Sequence, residues 1–166
     1  MKYREFSGKK VRGPGIEIDS LVEGTIDFDG QFDEDSIRVD GGAHAGAVGE
    51  GELSGVLLSA ADLSGVRLGP VTLADTRLDG VDLSNASLQG ITARRVELFR
   101  CRGIGLRMSV AHASDLLVED CRLDYSAIRF QRVRPVAVFH RCSFREAVLS
   151  GDLSNIVFTD CRLDST

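Results

Sequence analysis

The fold class this sequence predicts is an all-β solenoid, and three observations predict it. An apolar residue recurs at every fifth position, a second small or apolar residue stands two places before each, and the residues between are turn formers. From Gly51 the chain reads "GELSG VLLSA ADLSG VRLGP VTLAD TRLDG VDLSN ASLQG", with leucine in the third place of all eight blocks, from Leu53 to Leu88. The same place continues as Ala93, Leu98, Gly103, Met108, Ala113, Val118, Leu123, Ile128 and Val133. Two residues separated by one lie on the same side of an extended strand. Ser-Gly, Asp-Gly, Ser-Asn and Gln-Gly pairs make corners. A short strand and a corner, repeated, must wind into a coil whose inner side chains share one axis. A helix is excluded, because a step of five matches neither 3.6 nor a heptad.

The elements follow in order. Residues 1–15 are a basic segment, with five Lys/Arg against one acid, and their start, "MKYREFSGKK", has no apolar stretch after its charges that would mark a secretory signal. Residues 16–50 read as degenerate opening coils or a strand-rich cap, since Ile16, Leu21 and Ile26 already keep the step of five. "GGAHAGAVGEG" is too poor in large side chains to fill a normal coil and is expected to be a loop or a thin turn. Residues 51–166 are the regular array. Its second inward series runs through Val56, Ala61, Val66, Val71, Val81, Ala86, Ile91, Val96, Cys101, Leu106, Ala111, Leu116 and Cys121. Near "RVRPVAVF" the register slips by one, where Pro135 lacks a ladder N–H.

The blocks "ADLSG", "VDLSN" and "ASLQG" resemble the pentapeptide-repeat family, whose consensus is A-(D/N)-L-x-x, over roughly residues 51–166. The resemblance implies a right-handed quadrilateral β-helix with four blocks, or twenty residues, per coil. About six regular coils then follow an irregular, strand-rich N-terminal region. With the slip, Cys101, Cys121, Cys142 and Cys161 stack in one inward column about 4.8 Å apart. Parallel thiols in an apolar bore act as small hydrophobes, not as a tetrahedral metal site. They are expected to be buried and structural.

No catalytic constellation is legible. His44, His112 and His140 are scattered, and no nucleophile elbow, phosphate loop or paired His-Glu motif is present. The expectation is a non-enzymatic protein with no cofactor and no metal. No run of about 18 apolar residues offers a membrane span, and without export the thiols imply a cytoplasmic protein.

Function is then sought on outward positions. Leu57, Phe99, Leu117 and Val157 fall on one face where charges are expected, with Ile104, Val110, Tyr125 and Phe130 near it, which marks a candidate docking surface. Arg94, Arg95, Arg100, Arg102 and Arg107 form a basic girdle around one coil. Arginines pointing in different directions make a poor nucleic-acid surface, so no direct nucleic-acid contact is expected. The C-terminal coil, with no amphipathic helix after it, is expected to meet a second copy in an end-to-end homodimer.

Charge is segregated along the chain: residues 17–92 carry three Arg against fifteen acids, and residues 93–166 carry twelve Arg against nine acids. The leading expectation is a rigid protein-interaction scaffold whose partner the sequence does not name. Some members of the family mimic duplex DNA and bind or protect type II topoisomerases. The resemblance therefore implies DNA gyrase as an alternative partner, with Asp27, Asp29, Asp33, Glu34 and Asp35 as the densest acids.

Overall fold

The computed structural model describes residues 2–166. Two short antiparallel strands, β1 (Tyr3–Phe6) and β2 (Lys9–Arg12), form a hairpin closed by Ser7 and Gly8, both at positive φ. A 3-10 turn at Ile18–Ser20 follows. The coil is then built from β3 (Val22–Glu23), β4 (Gly30–Asp35), β5 (Ile37–Asp40), β6 (Val48–Ser54), β7 (Leu57–Ser59), β8 (Arg67–Asp79), β9 (Ser87–Phe99), β10 (Arg107–Glu119), β11 (Ala127–Phe130), β12 (Ala137–His140), β13 (Val148–Gly151) and β14 (Ile156–Thr159). Every pairing within the coil is parallel. One column of bridges, Ala43–Asp62–Asp82–Arg102–Arg122–Ser143–Arg162, counts seven rungs and hence six steps from coil to coil. The all-β solenoid is the fold.

The bore is filled by the two series read from the sequence. Leu53, Val56, Leu58, Ala61, Leu63, Val66, Leu83, Val96 and Leu106 are all buried in one continuous core. A cavity of about 60 Å³ remains along the axis, lined between Phe28 and Val118 by apolar side chains alone. It offers no group that could orient a polar substrate or move a proton.

Three expectations about register need correction or completion. Val110, not Ala111, turns inward: Val110 pairs with Ile91 across a register shift and is 1% exposed. Phe130 likewise points into the bore at 0% exposure, so neither it nor Val110 belongs to the outer surface. Ala113 pairs with Val133 but Leu116 pairs with Ala137, which places the extra residue between Val133 and Ala137, around Pro135. A nineteen-residue step from Ala137 to Ile156 then restores the register.

The glycine-rich stretch before residue 51 is a full rung and not a loop. Ala43 bridges to Asp62, and β6 pairs with both β4 and β8. A Cβ at Gly49 or Gly51 would lie 2.1 Å from the Phe28 carbonyl oxygen or 1.9 Å from that of Phe32. The missing side chains are replaced from the coil before. Phe28 and Phe32, edge to face at 5.1 Å, fill the bore there and close its N-terminal end. At the opposite end Phe130, Phe139, Phe144 and Phe158 pack ring against ring, and Leu163 of the last coil is 44% exposed.

Candidate interaction surfaces

Because successive coils stack in register, each outward position becomes a column, and each side of the rod is a small set of columns. The side built from the second half of β8, β9 and β10 carries Leu57, Arg77, Glu97, Leu117, Val138 and Val157 in one column, and Asp79, Phe99, Glu119, His140 and Thr159 in the next. This is the face expected to dock a partner. The structure corrects that expectation, since the face is already occupied by the chain itself. The β1–β2 hairpin lies across it, and Phe6 and Val11 pack with Leu117, Val136 and Val138, while Val157 borders the cluster. Leu117 is 3% exposed and Leu57 7%. Phe99 is half-buried, with the Arg77 and Arg100 guanidiniums 5.0 and 4.7 Å from its ring centre.

The hairpin is held by charge as well as by apolar contact. Arg4 donates two hydrogen bonds of 2.7 Å to the two carboxylate oxygens of Glu119, and Arg141 approaches the same carboxylate at 3.4 Å. The Arg4 hydrogen bond, offset by burial, holds the Glu119 carboxyl below the usual carboxylate range. After the hairpin the chain runs back along a corner of the rod. The Arg12 N–H donates to Asp115 at 3.0 Å and the Gly15 N–H to Asp75 at 2.9 Å. Asp75 also accepts both Arg95 hydrogen bonds, at 2.6 and 2.7 Å, and that guanidinium lowers the Asp75 carboxyl's pKa. Residues 2–15 are thus a strap from the late coils to the early ones.

The basic girdle does not act as a unit. Arg95 is spent on Asp75, and Arg100 on Asp79 and the Phe99 ring. Arg94, Arg102 and Arg107 form no ion pair among the described residues. A different set of arginines does gather. Arg67 and Arg107 share the column Val48–Arg67–Ser87–Arg107–Ala127, and Arg129 stands beside it on β11. On the adjoining face are Arg94, Arg132 and Arg134. All six are exposed and unpaired among the described residues. The sequence carries the signal for this set in its twenty-residue steps, but a girdle drawn within one coil crosses the columns instead of following them.

The four thiols lie in one inward column. Each Sγ donates to a carbonyl oxygen of the coil before: Cys101 to Leu78, Cys121 to Leu98, Cys142 to Val118 and Cys161 to Phe139, at 3.2–3.5 Å. Cys101, Cys121 and Cys142 are buried and Cys161 partly so. Hydrogen bonding to the flanking thiols, together with burial, pushes the Cys121 thiol well above its ordinary range. His44 stacks edge to face on Phe28 at 4.9 Å, and His140 bonds Thr159 and packs on Phe6.

The pentapeptide-repeat family model, described as pentapeptide repeats, matches residues 52–90 in 8 copies. Two solved structures of trypsin-treated variants of QnrB1, a plasmid-mediated fluoroquinolone resistance protein, are similar to this chain. One is 18% identical, covers 78% of this chain and 71% of its own, and has a TM-score of 0.40. The other is 15% identical, covers 75% and 79%, and has a TM-score of 0.34. No curated protein matches. No helix is long and apolar enough to cross a membrane among the described residues. Residues 52–90 match pentapeptide repeats, and they lie within an all-β solenoid of parallel strands.

Proposed function

We propose that this chain is a rigid, non-enzymatic interaction scaffold of the cytoplasm that engages a protein partner through a lateral face. The observation that carries the reading is how charge is sorted around the rod. On the side under the hairpin and at its corners, carboxylates and guanidiniums neutralise one another in the pairs Arg4–Glu119, Arg95–Asp75, Arg100–Asp79 and Arg141–Asp120. On the face of Arg67, Arg107 and Arg129, no carboxylate stands in the intervening outward positions Ser87, Gln89 and Ser109. Unpaired arginines on a preformed backbone are common anchors of protein interfaces, and a rigid surface loses little entropy on binding. The test is capture from the native host on immobilised protein, comparing wild type with the Arg67→Glu/Arg107→Glu/Arg129→Glu variant. A partner retained by the wild type and lost by the variant supports this face; equal retention removes it.

A second reading, binding or protection of DNA gyrase as a DNA mimic, is supported by the early coils. Asp27, Asp29, Asp33 and Asp35 are exposed there and form no ion pair among the described residues. A gyrase supercoiling assay with and without a fluoroquinolone tests it; no effect at high molar excess discards the reading.

A further inference from the structure

One face of the rod changes sign along its length. Its first outward column runs Asp33–Glu52–Thr72–Thr92–His112, residue opposite residue, and Arg132 follows because Ala113 bridges to Val133. Its second column runs Asp35–Ser54–Ala74–Arg94–Ser114, with Arg134 next, its N–H donating to the Ala113 carbonyl. The first two rungs therefore hold three carboxylates, the third Thr72 and Ala74, the fourth Thr92 and Arg94, the fifth His112 and Ser114, and the sixth two arginines. None of Asp33, Asp35, Glu52, Arg94, Arg132 and Arg134 is in an ion pair among the described residues. The next carboxylate on this side, Asp152, lies beyond the last arginine and accepts from Ser154.

We propose that two copies of the chain associate side by side and antiparallel through this face. The acidic early rungs of each then meet the arginine-bearing late rungs of the other. A two-fold axis lying in the interface, across the rods between the Thr72 and Thr92 rungs, sends the first rung onto the sixth. Asp33 then faces Arg132, and Asp35 faces Arg134, each twice, as an isologous contact requires. Asp33 and Arg132 are five rungs apart, about 24 Å at ~4.8 Å per rung, so the two charge patches are well separated. At the centre Thr72 faces Thr92, and the short side chain of Ala74 leaves room for the Arg94 that faces it. A strand-rich rod fixes all these groups relative to one another, so both patches engage together.

Charge also selects this occupant over a nucleic acid. A duplex laid along the face would meet the arginines at one end and the carboxylates of Asp33, Asp35 and Glu52 at the other. A second copy satisfies both ends. The contact differs from the end-to-end pairing through the C-terminal coil that the sequence suggests, and it uses a different face from the Arg67, Arg107 and Arg129 surface proposed for a protein partner. The two readings therefore fail separately.

Sedimentation equilibrium on the full chain tests the proposal. The wild type is expected to be a dimer at about 0.1 M salt and a monomer at about 1 M, where the Debye length falls from roughly 10 to 3 Å. Arg132→Glu/Arg134→Glu and Asp33→Arg/Asp35→Arg should each be monomeric at the lower salt, because each juxtaposes like charges. Mixed in equal amounts, they should recover a heterodimer, which also shows that both variants are folded. Leu163→Asp, in the C-terminal coil, should leave the dimer unchanged. The proposal is overturned by a wild type that stays monomeric at the lower salt, by variants that dimerise alone, by no recovery on mixing, or by loss of the dimer in Leu163→Asp. A monomer that binds a duplex DNA fragment in a salt-dependent way overturns it as well.

Discussion

The interior of the coil and the N-terminal strap are stabilised in opposite ways. Inside, each coil repeats the same small apolar set, so burial is spread over many near-identical contacts, as in other solenoids. Outside, residues 2–15 are attached at a few distinct points: the Phe6/Val11 contact with Leu117, the Arg4–Glu119 pair and two N–H bonds to Asp115 and Asp75. The difference teaches where a single substitution is felt. A break in the bore propagates to the coils above and below, whereas a break in the strap releases one element from an intact rod.

The largest expected effect is inside. Leu83, 2% exposed between stacked coils, replaced by Asp would bury an unpaired carboxylate, at a cost of at least about 4 kcal/mol. Thermal unfolding followed by circular dichroism should show the cooperative transition lost or strongly lowered.

Two changes address the strap. Leu117→Ser removes the apolar floor beneath Val11 and should cost about 2–4 kcal/mol, read as cleavage by trypsin after Lys9 and Lys10 while the coil resists. An intact, protease-resistant hairpin would contradict the contact. Glu119→Gln deletes the acceptor of both Arg4 hydrogen bonds. Because Arg4 is 46% exposed and screened by solvent, the loss should be smaller, about 1–2 kcal/mol. The pH dependence has a definite sign. Glu119 is held below its unfolded value, so its stabilisation is fully present above pH about 4.3 and disappears as pH falls through the folded value. Protection against hydrogen exchange in residues 3–12, taken relative to the unstructured exchange rate at each pH, should therefore fall on acidification in the wild type and change less in Glu119→Gln.

The smaller effects sharpen the contrast. Gly80 has φ +66° but open space where a Cβ would sit. The equivalent corner one coil earlier is Ala60 at φ 56°, and one coil later Arg100 at φ 53°. Gly80→Ala should cost roughly 1–2 kcal/mol, a melting shift of a few degrees. Thiol labelling should perturb least of all. Cys161 should react first, and Cys101, Cys121 and Cys142 only on unfolding; rapid native labelling of Cys121 would contradict its burial.

Most of the bore was legible, because an inward side chain in a coil is specified by its own strand and corner. The central leucines and the second inward series needed only the step of five. Ala111 is not the inward residue because the segment from Met108 to Val110 is one residue shorter than the one from Leu88 to Ile91 beside it, and the neighbouring strand's register, not local pattern, decides that. The glycines at 49 and 51 looked like a weak turn because the phenylalanines that fill their space belong to the preceding coil. The outer face failed for a related reason. Leu117 was correctly placed outside the bore, but nothing in a local stretch says that Phe6 and Val11, more than a hundred positions earlier, return to cover it.

By itself, the sequence determined the class of fold, the inward series and the column of thiols, since a period of five admits one way of hiding apolar side chains on a strand-and-corner repeat. Only the tertiary structure decided which outward groups are free. An outward residue's partner is set by rungs nineteen to twenty-one residues away and by a strap folded back from the start of the chain. One residue inserted near Pro135, or one omitted between Asp33 and Glu52, moves every column it precedes or follows. Burial is written in each repeat; the company a surface charge keeps depends on all of them stacked together.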